Sequence, residues 1–125
     1  DALRGNLLYD VASLIDDVRI KLPIKLKSSL FSYYLSKTSK IKNKTEKLLA
    51  QNDFDILSVQ RNLKILGIFV RLCKRDHKLS YLKYLPYIWE LLELRLKNPI
   101  FINLKYLLNK AVPIKNRKKV NFNDN

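Results

Sequence analysis

Asp16 and Asp17 form the most suggestive acidic pair in this 125-residue sequence. Paired carboxylates perform general acid–base chemistry when both reach the reacting group. Adjacent residues on a helix point about 100° apart, so this pair forms no catalytic dyad by itself. At a helix end two negative charges also oppose the helix dipole. Such charges mark a site or are balanced by Arg19 or Lys21, and the sequence leaves both interpretations open.

Two other polar features lie beside positions predicted to be buried. Asp10 lies one turn into the first predicted helix, where its carboxylate could cap the backbone amides of a neighbouring loop. The run Gln60-Arg61-Asn62 is a strongly polar break in a helix that is otherwise apolar. Arg61 there needs a carboxylate or an opening to solvent. The wall of a site and a structural ion pair explain this break equally well.

The common catalytic constellations are absent from the sequence. His77, the single histidine, lies in a lysine-rich turn and is interpreted as a solvated turn residue. Cys73, the single cysteine, falls on an apolar stripe and is interpreted as a small buried hydrophobic residue. One Cys and one His form no zinc site without several well-spaced carboxylates, and two distant glycines form no phosphate loop. The residues alone therefore predict no catalytic group and no metal ligand.

The net charge of +14 admits two explanations. A phosphate-rich partner is one, since basic proteins bind nucleic acid through such a charge. An AT-rich genome is the other, because the excess is lysine and comes with many Ile and Asn residues. The lysines are spread along the chain and are not interleaved with stacking aromatics, as nucleic-acid sites usually are. Nucleic-acid binding is therefore kept only as an alternative.

The remaining composition predicts a helical protein of one domain in the cytoplasm. Apolar residues make up 47% of the chain, with only 2 Gly and 4 Pro, which favours helices joined by short turns. A single cysteine excludes an internal disulfide and fits a reducing compartment. The chain shows no signal-peptide pattern, and its longest apolar run, ILGIFV, is too short to cross a bilayer. No membrane partner is expected.

Hydrophobic spacing predicts an all-α bundle of five or six helices without a sheet. The first is expected to begin after a Gly5-Asn6 turn. The helix capped by Asn52 has two apolar stripes and is predicted to be central. Gly67 costs it about 1 kcal/mol relative to alanine, which predicts close approach of another backbone there. The predicted helices cover residues 7–18, 23–38, 52–76, 86–97 and 98–112, with a short helix before Pro86 and a basic, disordered tail at 113–125.

Three segments together resemble a known family: DALRGNLLYDVASLIDDVRIKLP, QRNLKILGIFVRL and YLKYLPYIWELLELRLKNP. In order and spacing they resemble the C-terminal part of the aminoglycoside-phosphotransferase-like kinases. Within that family they are most similar to the bacterial kinases that phosphorylate the anomeric hydroxyl of N-acetylmuramate and N-acetylglucosamine in cell-wall recycling. The resemblance covers most of residues 1–112 and implies the helical C-terminal lobe of a kinase-like fold.

The resemblance also implies roles for individual residues. Asp10 matches a structural aspartate that braces the catalytic segment. Asp16 departs from the family pattern, which favours Gln-Asp, and receives no role. The final Asp-Ala of the family's Asp-Phe-Gln-Asp-Ala motif matches Asp1-Ala2, so the metal-binding aspartate is expected upstream and no catalytic or metal role falls on Asp1. The residues that the resemblance places in or behind the acceptor-sugar pocket are Asp17, Arg19, Gln60 and Arg61.

The resulting hypothesis is a C-terminal helical fragment of an ATP-dependent amino-sugar phosphotransferase, which forms the acceptor side and is inactive alone. ATP and magnesium are implied for the complete enzyme, with none bound by this chain alone. The implied partners are the amino sugar and, where the two lobes are separate chains, an N-terminal lobe. Phosphoryl transfer depends on positioning and charge neutralisation around magnesium and phosphates, which these residues do not provide. The alternatives are a basic nucleic-acid-binding module and a helical interaction protein.

Overall fold

The computed structural model describes residues 2–38 and 41–117, with the side chains of residues 2–6 excepted. Within these ranges the chain is helical and has no strand, which confirms the all-α prediction. The α-helices are α1 (Ala2–Ile15), α2 (Ile24–Ser36), α3 (Lys44–Lys74), α4 (Leu85–Arg95) and α5 (Ile102–Ala111). Short 3-10 helices cover Leu79–Tyr84, Pro99–Phe101 and Ile114–Asn116.

The chain divides into two compact units, residues 1–58 and 59–125. In the first unit α1 and α2 pack against the beginning of α3 around Ala12, Ile15, Phe31 and Phe54. The rings of Phe31 and Phe54 lie with their centroids 4.7 Å apart. Burial of these side chains supplies the main favourable free energy of this unit.

The second unit is built around α4. The apolar face that three-four spacing gives this helix consists of Ile88, Leu91, Leu92 and Leu96, and it is buried with at most 3% exposure. Pro86 lies in the first turn of α4, where its missing N–H leaves no hydrogen bond unmade. Asn98 begins the next turn by accepting a hydrogen bond from the Ile100 amide at 3.2 Å. The start predicted at Pro86 lies one residue from the start of α4, and the start predicted at Asn98 is the cap of the 3-10 turn that precedes α5.

The helix α3 begins at Lys44, before the start predicted at Asn52. Asn43, not Asn52, caps it: the Asn43 Oδ1 accepts from the Glu46 amide at 2.8 Å, and the Asn43 Nδ2 donates to the Glu46 carboxylate at 2.8 Å. This is a reciprocal capping pair. Neither Gly nor Pro lies between Asn43 and Asn52, so the helix continues through residues 44–51, which lie outside the predicted helices. The 31 residues of α3 contribute buried side chains to both units.

The predicted start of α1 is also wrong. Its backbone is helical from Ala2, so Gly5 and Asn6 lie inside the helix and form no turn. A glycine within a helix costs only about 1 kcal/mol, and each added residue brings a backbone hydrogen bond. The helix ends at Ile15, before the predicted end at Val18.

The predicted tail contains an ordered turn. Residues 114–116 form a 3-10 helix, and the side chain of Arg117 is buried. The buried contacts of this arginine, described below, hold residues 113–117 against the second unit. Asp1, residues 39–40 and residues 118–125 lie outside the described residues.

The interpretations of Cys73 and His77, at and after the end of α3, are confirmed. Cys73 is buried, its Sγ lies 3.6 Å from the Lys78 carbonyl oxygen, and burial raises the pKa of its thiol. His77 is an exposed turn residue. Within the described ranges no helix combines the length and the apolarity needed to cross a membrane.

Replacing His77 by glycine is expected to stabilise the protein. Its φ is 55°, in the left-handed region that favours glycine, and the next amide, that of Lys78, donates to the Leu72 carbonyl at 2.9 Å. Because a β-carbon is unfavourable there, His77→Gly should raise the free energy of unfolding by up to about 1 kcal/mol. Urea denaturation measures the change. Lys78→Gly, at the following position, is the control. A loss of stability in His77→Gly, together with the same change in Lys78→Gly, would contradict this explanation.

Candidate functional site

The corner after α1 carries both carboxylates of the acidic pair, and the structure gives them different environments. Asp16 is fully buried, with 0% exposure. Its Oδ1 lies 2.8 Å from the Lys27 ammonium, and its Oδ2 accepts from the Ser58 hydroxyl at 2.5 Å. The Lys27 ammonium also donates to the Ile15 carbonyl at 2.6 Å. The two buried charges therefore face each other, and the Ile15 carbonyl and the Ser58 hydroxyl add hydrogen bonds to them.

This buried cluster connects α1, α2 and α3 within the first unit. Charges leave water at a large cost, which is offset only when pairing and hydrogen bonding are nearly complete. Asp16 is therefore a structural anchor, although the sequence analysis gave it no role. One signal could have found its partner: Lys27 precedes the buried Phe31 by four residues and so shares its helix face. A lysine on a buried face requires an acidic partner.

Asp17 lies on the solvent side of the same corner. Its Oδ1 accepts from the Arg19 amide at 2.8 Å and from the Arg19 Nε at 3.3 Å, and its Oδ2 accepts from the second guanidinium nitrogen at 3.3 Å. The side chains are 17% and 69% exposed, respectively. A carboxylate that bonds the amide two residues on fixes the chain in a turn. Arg19, one of the two balancing residues proposed from sequence, is thus observed beside Asp17.

The pair of Asp17 and Arg19 has the chemistry to bind a neutral polar ligand. A carboxylate accepts hydrogen bonds from hydroxyl groups, and a guanidinium donates several in a fixed geometry. Because the turn already orders both side chains, little conformational entropy remains to be lost on binding. Two of the four residues predicted to line or support the acceptor pocket, Asp17 and Arg19, are thus in contact with each other.

The other two predicted residues lie on α3 in the second unit. Gln60 is exposed and Arg61 is half-buried. Consecutive helix positions diverge by about 100°, so these two side chains point in different directions. Their role at the acceptor site stays a prediction. Asp10 is exposed on α1, and its role in bracing a catalytic segment also stays a prediction.

The second unit contains an apolar groove of about 490 Å³. Its walls include Leu66 and Val70 of α3, Leu85 and Trp89 of α4, and Leu108 of α5. Gly67 lies in the wall, and a β-carbon built there would meet no atom within 4 Å. The close backbone approach predicted at Gly67 is therefore wrong, because the space beside it is open.

Arg117 belongs to the wall of this groove, and no role was predicted for it from the sequence. Its Nε donates to the Val112 carbonyl and one terminal nitrogen donates to the Asn109 side chain, both at 2.9 Å. The guanidinium carbon lies 4.6 Å from the centroid of the Trp89 ring. Another terminal nitrogen lies 4.0 Å from the Glu93 carboxylate. No local pattern marks this residue, since its partners depend on how α4 and α5 pack.

The described residues include no cluster of three or more His, Cys, Asp or Glu side chains that could hold a metal ion. The buried carboxylate of Asp16 is already occupied by Lys27 and Ser58. The acidic residues of this corner therefore do not fit a magnesium site.

Comparison with known proteins identifies three similar sequences, each an N-acetylmuramate/N-acetylglucosamine kinase. The chain is 34% identical over 97 residues to the Pseudomonas aeruginosa kinase, which covers 74% of this chain and 28% of that protein. It is 26% identical over 118 residues to the Caulobacter vibrioides kinase, covering 94% of this chain and 31% of that protein. It is 33% identical over 88 residues to the Pseudomonas putida kinase, covering 69% of this chain and 26% of that protein.

The matches confirm the predicted resemblance to the C-terminal part of these kinases, since the matched segment is their C-terminal region. The chain spans less than a third of the length of the curated relatives it matches. No family model matches the chain. No solved structure matches it either.

Proposed function

We propose that this chain, similar to the C-terminal region of the N-acetylmuramate/N-acetylglucosamine kinases, forms the acceptor-side platform of an ATP-dependent amino-sugar phosphotransferase. The observation that carries the proposal is the 34% identity to the Pseudomonas aeruginosa kinase over 74% of the chain. The all-helical fold of the described residues agrees with a helical lobe of a kinase-like enzyme.

The corner after α1 supports an acceptor role for Asp17 and Arg19. The buried contact of Asp16 with Lys27 fixes the corner, while the Asp17 and Arg19 side chains reach solvent. A fixed pair of one acceptor and one donor group suits the hydroxyl and amide groups of an amino sugar. In the proposed complex Asp17 accepts from a sugar hydroxyl and Arg19 donates to a sugar oxygen. Gln60 and Arg61, on the part of α3 in the second unit, stay residues predicted to line or support the acceptor site.

ATP and magnesium supply the phosphoryl group and its charge neutralisation in such a reaction. Because the described acidic residues do not fit a metal site, we propose that this chain binds and orients the sugar only. Asp10 is proposed to support the catalytic segment. Residues 1–125 alone are then expected to be inactive, and turnover is expected to need the part of a kinase that precedes the matched region in the relatives.

A chimera tests this proposal. The C-terminal region of the Pseudomonas aeruginosa kinase is replaced by this chain, and sugar phosphate formed from ATP and N-acetylglucosamine or N-acetylmuramate is measured with magnesium. We expect the chimera to phosphorylate the sugar and the isolated chain to form none. Magnesium-dependent turnover by the isolated chain would contradict the expected inactivity. A folded but inactive chimera would contradict the platform role.

The same chimera tests the acceptor residues. Asp17→Asn together with Arg19→Met should raise the KM for the sugar by about tenfold, which corresponds to about 1.4 kcal/mol of lost hydrogen bonding, while the KM for ATP stays unchanged. The matched control replaces Asp76 and Arg75, another exposed pair with the same 3.3 Å separation, by Asn and Met. Equal changes in both variants would remove Asp17 and Arg19 from the acceptor pocket.

A further inference from the structure

The apolar groove of the second unit is large enough for a small organic ligand. Its volume is about 490 Å³, which lies in the range of ligand pockets in proteins. Leu66, Gly67 and Val70 line it from α3, and Leu108 lines it from α5. A β-carbon built at Gly67 meets no neighbouring atom within 4 Å, so the space beside α3 is open. Walls of this kind favour the apolar part of a ligand.

Two residues with strongly polar side chains, Asn116 and Arg117, belong to the same walls. Arg117 is only 3% exposed. Its Nε donates to the Val112 carbonyl, and one terminal nitrogen donates to the Asn109 side chain. Both acceptors are neutral, so these hydrogen bonds leave the guanidinium charge unbalanced. A mostly apolar pocket with a few polar groups is the usual form of a site for organic ligands.

The guanidinium of Arg117 has no hydrogen-bonded counter-charge among the described residues. The Glu93 carboxylate lies 4.0 Å from a terminal nitrogen, which is beyond hydrogen-bonding distance. The Glu93 side chain is 34% exposed, so water weakens its attraction. The Trp89 ring, 4.6 Å from the guanidinium carbon, offers a π face but no negative charge. Because buried charges are stabilised by direct pairing, Arg117 favours an anion that bonds it directly.

We propose that the groove binds a small organic acid with an apolar body, such as an aromatic or aliphatic carboxylate. The apolar body lies against Leu66 and Leu108, and the carboxylate accepts hydrogen bonds from the Arg117 guanidinium, whose planar donors match it. The net charge of +14 adds a field that attracts anions. This site uses residues of the second unit alone, so it does not depend on the acceptor role proposed for the first unit.

The fluorescence of Trp89, the single tryptophan of the chain, reports binding to the full chain. The probe is 4-phenylbutanoate. Its analogue 4-phenylbutanamide keeps the apolar body without the charge, and acetate keeps the charge without the body. We expect a saturable change of emission with the probe and an affinity at least about tenfold higher than for either analogue, since hydrogen bonds between charged groups are the stronger ones.

Two results would overturn the proposal at this stage. One is the absence of a saturable change with 4-phenylbutanoate. The other is equal affinity for the acid and the amide, which would show that Arg117 does not select an anion. Because Arg117 also holds the C-terminal turn, the need for charge is tested on the ligand instead of by replacing the arginine.

A groove variant and nuclear magnetic resonance test the location. We expect nuclear Overhauser effects between the probe's ring and the methyl groups of Leu66 or Val70. Gly67→Leu fills the open space and raises helix propensity, so it should weaken binding at least about tenfold while α3 stays helical by circular dichroism. Asn103→Leu adds the same side chain at an exposed position of α5 and should bind like the parent protein. Unchanged binding in Gly67→Leu would overturn the location.

Discussion

Asp16→Asn is expected to lower the free energy of unfolding by about 3 kcal/mol or more, the usual cost of leaving a buried charge without its partner. The variant keeps the size of the side chain but leaves the Lys27 ammonium, 4% exposed, without its counter-charge. The Ser58 hydroxyl also loses its charged acceptor. Urea denaturation followed by circular dichroism measures the loss.

The neighbouring carboxylate provides the matched control. Asp17→Asn is the same chemical change one residue later, in a pair whose arginine is 69% exposed. Exposed ion pairs contribute about 1 kcal/mol or less, so this variant should stay close to the parent protein. Equal losses at the two positions would show that burial does not distinguish them.

A double variant tests whether the unbalanced charge of Lys27 causes the loss of stability in Asp16→Asn. Lys27→Met removes the ammonium that Asp16→Asn leaves unbalanced, so the double variant should recover much of the loss of Asp16→Asn. Failure to recover would mean that the pair acts through geometry that an apolar side chain cannot replace. Because the pair fixes the corner that holds Asp17 and Arg19, the single variant should also raise the sugar KM of the chimera.

The second large effect is expected at Arg117. Arg117→Ala should weaken the C-terminal turn by about 2 kcal/mol, because two hydrogen bonds from a charged group and a contact with the Trp89 ring are lost. The Asn116 amide donates to the Pro113 carbonyl at 2.8 Å. Faster hydrogen exchange of this amide measures the opening of the turn.

Arg117→Lys distinguishes the guanidinium from its charge. A lysine keeps the positive charge but cannot reach the Val112 carbonyl and the Asn109 side chain together in the same planar geometry. We therefore expect the Asn116 amide of the lysine variant to exchange hydrogen about as fast as that of the alanine variant. The control is Lys115→Ala, an exposed position in the same turn, which should leave the exchange rate unchanged. Full protection in the lysine variant would contradict the role given to the two fixed donors.

Local signals predicted a large part of the fold. The face of α4 and the turns at Pro86 and Asn98 follow from the spacing of apolar residues and from the backbone limits of proline. These signals act within one or two helical turns, so they can be read along the chain. The starts of α1 and α3 were predicted less well, because Gly5 and Asn52 are tolerated inside a helix that has a better cap or longer continuation elsewhere.

The sequence by itself determined that the chain is helical, where most of its turns lie, and which relatives it resembles. Only the tertiary structure decided which carboxylate of the Asp16-Asp17 pair is buried and which reaches solvent. It also decided that Arg117 packs on Trp89 instead of continuing a polar tail. Helix periodicity depends on neighbours three and four residues apart, whereas Asp16 and Ser58 are 42 residues apart in the sequence. The stability of such contacts depends on burial, which exists only once the helices have packed.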